Sequence, residues 1–184
     1  MATGITEKGN AGLFENEIEF NGKYATMVRF LKDELGLFGT FREAYVVASI
    51  IGFINERGVT EDKQEKVQPA SIFPNELSKR KPDLRFIYTL IMLLKDEPDF
   101  TLDDYKNRAF KNDPDENMDI IKQNMDIFNS YACGGIEFLY KIFQDCSRTE
   151  ETVDKLYEFL HSFSSDVGLV EAEDELPDFE PDFN

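Results

Sequence analysis

The chain has 184 residues and a net charge of −17, from 20 basic and 37 acidic side chains. Hydrophobic residues make up 41% of it, and 17 residues are phenylalanine, so a globally disordered chain is excluded. The acidic balance argues against a protein that mainly coats DNA or an anionic membrane. The sequence has neither a run of about 18 apolar residues nor a signal-peptide layout at its start, so we expect a soluble, cytoplasmic protein.

The first part of the chain is polar, and the first helix follows it. We expect residues 1–20 to form a flexible lead-in, because they are polar and contain glycine. Apolar residues at helical spacing then predict a helix over residues 22–35. Asn21 fits the N-cap of this helix, and Gly36 fits a left-handed residue that ends it.

The second helix has the clearest boundaries in the sequence. Thr40 and Glu43 have the spacing of a capping box, in which each side chain satisfies a backbone donor of the first turn. Gly58 is the predicted end of this helix. One apolar face is predicted from Ala44, Tyr45, Val47, Ala48, Ile51 and Ile54.

Residues 58–82 are predicted to be a loop, since they are mixed in charge and hold three prolines. The next helix is predicted over residues 84–94, which are apolar nearly all round. A helix of that kind is expected at the centre of a bundle. A short helix is predicted from Thr101 to about Phe110.

A long helix is predicted from Pro114 to Phe143, and it contains the adjacent pair Gly134 and Gly135. Two glycines in a helix interior are unfavourable, so they indicate a kink or the close approach of another backbone. Ala48 and Gly52 are four residues apart on the second helix. Their small size lets another helix approach closely at this point, and the pair Gly134 and Gly135 is the predicted opposing surface.

The chain ends in a region of different composition. A last amphipathic helix is predicted over residues 149–163. Residues 166–184 hold eight acidic residues and no basic one, which predicts a disordered acidic tail. We therefore expect an all-α protein, a single compact bundle of about six helices over residues 21–165.

The sequence offers little for catalysis. The single histidine, His161, has no neighbouring ligand pattern, and neither Cys133 nor Cys146 belongs to a nucleophile or metal motif. There is no phosphate-binding glycine motif. We expect no catalytic residue, no cofactor and no metal. A hydrolase or nuclease built on acids such as Asp103 and Asp104 is the least favoured function.

Two segments are predicted to bind a protein partner. The first is the basic patch of Lys79, Arg80 and Lys81, which could contact an acidic partner, a phosphate backbone or the acidic tail. The second lies in the tail, where apolar residues alternate with acids around two prolines, as in a short docking motif. The predicted partner-binding residues are Lys79, Arg80, Lys81, Leu176, Phe179 and Phe183.

Two further segments carry a family resemblance. Residues 37–57 contain an aromatic and small-residue helix with an internal Gly-Phe, and residues 128–139 contain the step Tyr-Ala-Cys-Gly-Gly-Ile. Read together, they resemble small accessory proteins of bacterial DNA phosphorothioation (Dnd) systems, over about residues 23–145. The motif residues are Tyr45, Ala48, Gly52, Tyr131, Gly134 and Gly135.

The resemblance implies no catalytic activity for the chain itself. It implies an accessory subunit in anti-phage defence, which binds protein partners from the same operon, such as an ATPase or a nuclease. We therefore expect a non-enzymatic interaction subunit that neither reads a DNA sequence nor binds a membrane. The alternative is an acidic DNA mimic that inhibits a DNA-binding enzyme, because the chain is strongly acidic.

Overall fold

The structure is a computed structural model, and it describes residues 5–8, 12–59, 67–111, 114–166 and 168. These residues are mostly helical, which confirms the predicted fold class. The helices are α1 (Gly22–Arg29), α2 (Phe41–Ile54), α3 (Pro74–Ser78), α4 (Lys81–Leu94), α5 (Leu102–Phe110), α6 (Pro114–Phe143) and α7 (Thr149–Asp166). The strands are β1 (Ile5–Lys8), β2 (Glu17–Phe20) and β3 (Ala70–Ile72).

The chain divides into two compact units, Met1–Gln144 and Asp145–Asn184. The first unit holds the sheet and helices α1 to α6. The second holds α7, which confirms the predicted last helix. The predicted single domain over residues 21–165 therefore extends across this division.

The sheet was not predicted, and it overturns the flexible lead-in for the part of residues 1–20 that the structure describes. Strand β2 lies in the middle and pairs antiparallel with both neighbours, so that Phe20 faces Ile5 in β1 and Ala70 in β3. Ile5, Ile18 and Phe20 are fully buried. The alternation of polar and apolar residues in β2, Glu-Ile-Glu-Phe, is the strand signal.

The turn between β1 and β2 is attached to the helices. Phe14 is buried with a left-handed φ of 59°, which is uncommon for a residue other than glycine. Its ring lies 5.7 Å from that of Phe128 in α6 and 6.1 Å from that of Tyr88 in α4. The ring of Tyr45 in α2 is 5.4 Å from Phe128. This aromatic cluster joins the turn to three helices.

Helix ends follow the predictions at three positions and differ at a fourth. Asn21 is the N-cap of α1, and Gly36 has a φ of 67°. After α1 the helix continues as a π-helical turn, Phe30–Glu34. Thr40 forms the predicted capping box of α2. Gly58 does not end α2, because the helix stops at Ile54 and the left-handed residue is Glu56.

Two expectations about the middle of the chain are wrong. The region predicted as a loop over residues 58–82 contains β3, α3 and the start of α4. Helix α4 is not enclosed on all sides either. Its residues Leu84, Tyr88, Ile91 and Met92 are buried, whereas Phe86 and Leu94 are about two-thirds exposed. The run of apolar residues was right for a helix, but it could not show that Phe86 and Leu94 are exposed.

Helices α2 and α6 cross in close contact, which confirms the predicted role of the glycines as the opposing surface. A Cβ atom added at Gly52 would lie 1.9 Å from the carbonyl oxygen of Tyr131, and one added at Gly135 would lie 1.9 Å from that of Ala48. At Gly134 the distance to the carbonyl oxygen of Arg57 would be 1.7 Å. The pair causes no kink, because the non-helical residue inside α6 is Asn117.

In the second unit, Glu151 receives hydrogen bonds from the backbone nitrogen of Ser147 (3.0 Å) and from its hydroxyl group (3.2 Å) at the start of α7. Val153, Tyr157 and Leu160 are exposed along this helix. In the part of the chain that the structure describes, no helix is long and apolar enough to cross a membrane.

Candidate protein-binding groove

A groove of about 500 Å³ lies between the first halves of α2 and α4. Its apolar wall consists of Val46 and Val47 from α2 and of Leu84, Phe86 and Ile87 from α4. Leu84 is fully buried, whereas Phe86 has 64% of its surface exposed and Val47 has 38%. The groove therefore has a buried floor and an apolar wall that is partly exposed to solvent.

Four charged residues complete the groove, and each is held by a contact within the first unit. Arg42 donates a hydrogen bond to the carbonyl oxygen of Glu76 (3.1 Å). The carboxylate of Glu43 accepts from the backbone nitrogens of Gly39 (2.9 Å) and Thr40 (3.1 Å) as part of the capping box. These contacts fix the side chains of Arg42 and Glu43 before any ligand arrives.

The other charged pair lies at the start of α4. Arg80 Nε donates to Asp83 at 2.6 Å, and both side chains remain more than half exposed. An exposed ion pair of this kind contributes little to stability, so its two groups are available to rearrange around a ligand.

Apolar exposure continues along both helices beyond the groove. Phe86, Leu90 and Leu94 are four residues apart on α4 and all are exposed. On α2, Val47 and Ile54 are exposed seven residues apart. These spacings place each set on one helix face. Sequence analysis missed this surface, although both helices carry more apolar positions than one buried face requires.

The predicted basic residues lie next to the groove, between α3 and α4. Lys79 follows the end of α3 and is exposed, and Arg80 is part of the groove itself. Lys81 forms an ion pair with Glu15. The hydrogen bond from Lys81 lowers the pKa of Glu15, and the charge of Arg85 adds to this effect. The patch is therefore partly neutralised and partly exposed.

The remaining predicted partner-binding residues lie outside the described part of the chain. They are Leu176, Phe179 and Phe183, together with the rest of the predicted tail. The described motif residues, in contrast, come together. Tyr45 OH donates to Asn129 Oδ1 at 2.5 Å in the interior, and Ala48, Gly52, Tyr131, Gly134 and Gly135 form the crossing of α2 and α6.

The residues considered for catalysis have structural contacts. Asp104 accepts from Thr101 at the start of α5, and the hydrogen bonds from Thr101 lower its pKa. Asp103 is paired with Lys106 at 3.5 Å. His161 is exposed, with its ring 6.5 Å from that of Tyr157. Within the described residues, no group of three potential His, Cys, Asp or Glu ligands could hold a metal ion.

Basic side chains form ion pairs with acids at several places in the first unit. Lys23 is paired with Glu137, and Lys95 with Glu97. These pairs interrupt the acidic surface at several places. A DNA mimic, in contrast, needs uninterrupted acids at phosphate-like spacing.

Comparison with known proteins gives no match to a family model, to a curated protein or to a solved structure. The resemblance to phosphorothioation accessory proteins therefore rests on the two sequence segments alone.

Proposed function

We propose that this chain is a non-enzymatic interaction subunit that binds a protein partner through the groove between α2 and α4. The observation that carries the proposal is the exposed apolar face of α4, with Phe86 64% exposed and Leu94 65% exposed. Contiguous apolar exposure beside polar groups marks interaction sites on protein surfaces. The groove supplies a binding site at one end of that face.

The charged groups in the groove also favour binding over catalysis. Glu43 is used in the α2 capping box, and Arg42 is bound to a backbone carbonyl. Groups held in this way position a ligand, and they are not arranged as a nucleophile with a base.

The family resemblance supplies the proposed setting. On that basis, the chain is an accessory subunit of a bacterial anti-phage defence or DNA-modification complex, located in the cytoplasm. Its partner is encoded in the same operon, and an ATPase or a nuclease is the expected kind. Direct sequence-specific binding of nucleic acid is not part of the proposal.

The test is co-purification with the products of the neighbouring genes, using wild-type protein and two matched variants. Phe86→Ser alters the groove. Phe110→Ser is the control, since Phe110 is 62% exposed and belongs to α5. We expect a stoichiometric partner with the wild type and the control, and at least about tenfold less with Phe86→Ser. No captured operon product, or equal capture by all three proteins, would contradict the proposal.

A further inference from the structure

We infer that the groove between α2 and α4 binds a short acidic peptide segment of the partner protein. An apolar side chain of the peptide packs against Phe86, and its carboxylates contact the basic edge of the groove, which is formed by residues 79–85. This inference rests on the proposed function and specifies the chemistry of the partner. It is carried by the charge of the groove's edge and by its apolar wall.

The edge of the groove, residues 79–85, is basic, whereas the charged residues that line the groove pair Arg42 with Glu43 and Arg80 with Asp83. Residues 79–85 contain four basic residues and one acid, Asp83, in a chain of net charge −17. Lys79, Arg80 and Arg85 are exposed. Opposite charges at such an edge steer a partner and set its orientation, whereas the rest of the surface repels acidic molecules. An acidic segment is therefore attracted to this edge in particular.

The apolar wall of the groove favours a ligand that carries apolar side chains as well as charges. Val47 and Phe86 present exposed apolar surface next to Arg80. Arg42, which donates to the carbonyl oxygen of Glu76 and lies 3.8 Å from the carboxylate of Glu43, has a fixed position within the groove. A volume of about 500 Å³ is in the range of sites that enclose small ligands, so it suits one or two anchoring side chains. An acidic peptide with spaced aromatic or aliphatic anchors matches both features.

Nucleic acid is the competing ligand for a basic edge. The apolar wall favours the peptide, because contacts to phosphates do not use apolar side chains. The acidic body opposes both ligands and does not distinguish them. A single-stranded DNA of about 14 nucleotides serves as the comparison probe.

The probe peptide is EAEDELPDFEPDFN, the sequence of residues 171–184, which has acids alternating with Leu176, Phe179 and Phe183. The host is the full chain with Leu176→Ser, Phe179→Ser and Phe183→Ser, so that its own tail lacks the same three apolar residues as the control peptide. A control peptide has serine in place of its leucine and both phenylalanines. Binding is measured by fluorescence anisotropy at about 50 mM and about 300 mM salt.

We expect the peptide to bind the host, and to bind at least about tenfold more weakly when Phe86→Ser is added. Adding Phe110→Ser instead should leave the affinity unchanged. The control peptide should also bind at least about tenfold more weakly, and high salt should lower the affinity severalfold. Equal affinity for the Phe86→Ser host, equal affinity of the control peptide, no binding, or tighter binding of the DNA would each overturn the inference.

The two proposals fail in different ways. If Phe86→Ser abolishes capture of the operon partner but the peptide does not bind, the proposed function holds and the acidic-peptide chemistry is wrong. If the peptide binds at Phe86 but no operon product is ever captured, the groove chemistry holds and the proposed function is wrong.

Discussion

Helix α2 has two faces that differ in what they contact. Its inner face crosses α6 so closely that Gly52 has no room for a methyl group. Its outer face carries Val47, which lines the groove, and Ile54, which is exposed at the end of the helix. The inner face contains small residues and allows backbone contact. The outer face contains large apolar residues, whose exposure to water is unfavourable.

Within this one helix, we therefore expect the inner face to determine stability and the outer face to determine binding. Close backbone approach at Ala48 and Gly52 fixes how α2 sits on α6, so changes there affect folding. Exposed residues such as Val47 contribute little to folding, so changes there affect whatever binds the groove. Changes at the crossing of α2 and α6 are therefore expected to lower stability most, and changes at the exposed residues of the groove least.

Gly135→Ala is expected to lower the free energy of unfolding by about 3 kcal/mol or more. The new methyl group would lie 1.9 Å from the carbonyl oxygen of Ala48, so the two helices must separate. Helix propensity favours alanine over glycine, and a stabilised variant would show that the contact does not constrain the crossing. Urea denaturation measures the change.

Gly58→Ala is the matched control for that variant. A Cβ atom there would lie 3.3 Å from the hydroxyl oxygen of Ser130, so a shift of only a few tenths of an ångström is needed. We expect a change within about 0.5 kcal/mol. Similar losses at Gly58 and Gly135 would mean that the loss comes from glycine replacement in general.

Tyr45→Phe is expected to cost about 1–3 kcal/mol of unfolding free energy. The hydroxyl of Tyr45 donates to Asn129 Oδ1 at 2.5 Å, and both residues are buried. Its removal leaves a buried acceptor without this donor. Adding Asn129→Leu should recover part of the loss, because the polar partner is then removed as well. No recovery in this double-mutant cycle would contradict the assigned hydrogen bond.

Glu137→Gln is expected to cost roughly 1 kcal/mol at neutral pH and less in acid. Burial raises the pKa of Glu137, but hydrogen bonds from Lys23 and Tyr24 lower it by more, so the pKa lies below its ordinary value of 4.5. A lowered pKa stabilises the fold above the unfolded-state pKa, and this stability is lost as pH falls through the folded-state value. Wild type and variant should therefore converge below pH 4.5. A difference that does not depend on pH would contradict this.

Phe86→Ser should leave the free energy of unfolding within about 0.5 kcal/mol of the wild type, because the side chain is 64% exposed. Thermal and urea unfolding check this directly. A loss above about 1.5 kcal/mol would place Phe86 among the residues that hold the fold. The two faces of α2 and α4 would then not be separable.

Local signals in the sequence predicted much of the fold. The capping box of Thr40 and Glu43 depends on residues three apart, so it can be predicted without knowing the tertiary structure. The crossing of α2 and α6 was also predictable, because glycine in a helix interior needs a reason and Ala48 with Gly52 supplied the opposite surface.

What could not be predicted depends on distant neighbours. Strand β2 pairs with β3, about 50 residues later, and each has only three or four residues. The exposed face of α4 was missed for a related reason, since apolar periodicity shows that Phe86 and Leu94 lie on a helix but not whether anything covers them. The groove lies at one end of that exposed face, and its basic edge was the part that the sequence predicted.

The most direct test of the account is to map where a captured operon partner contacts the chain. Methyl NMR spectra with and without the partner should show shifts at Val46, Val47, Leu84 and Ile87 of the groove. The methyl groups of Ile136, buried in α6, should be unaffected. Shifts confined to the exposed face of α7, at Val153 and Leu160, would contradict the claim that the groove between α2 and α4 binds the partner.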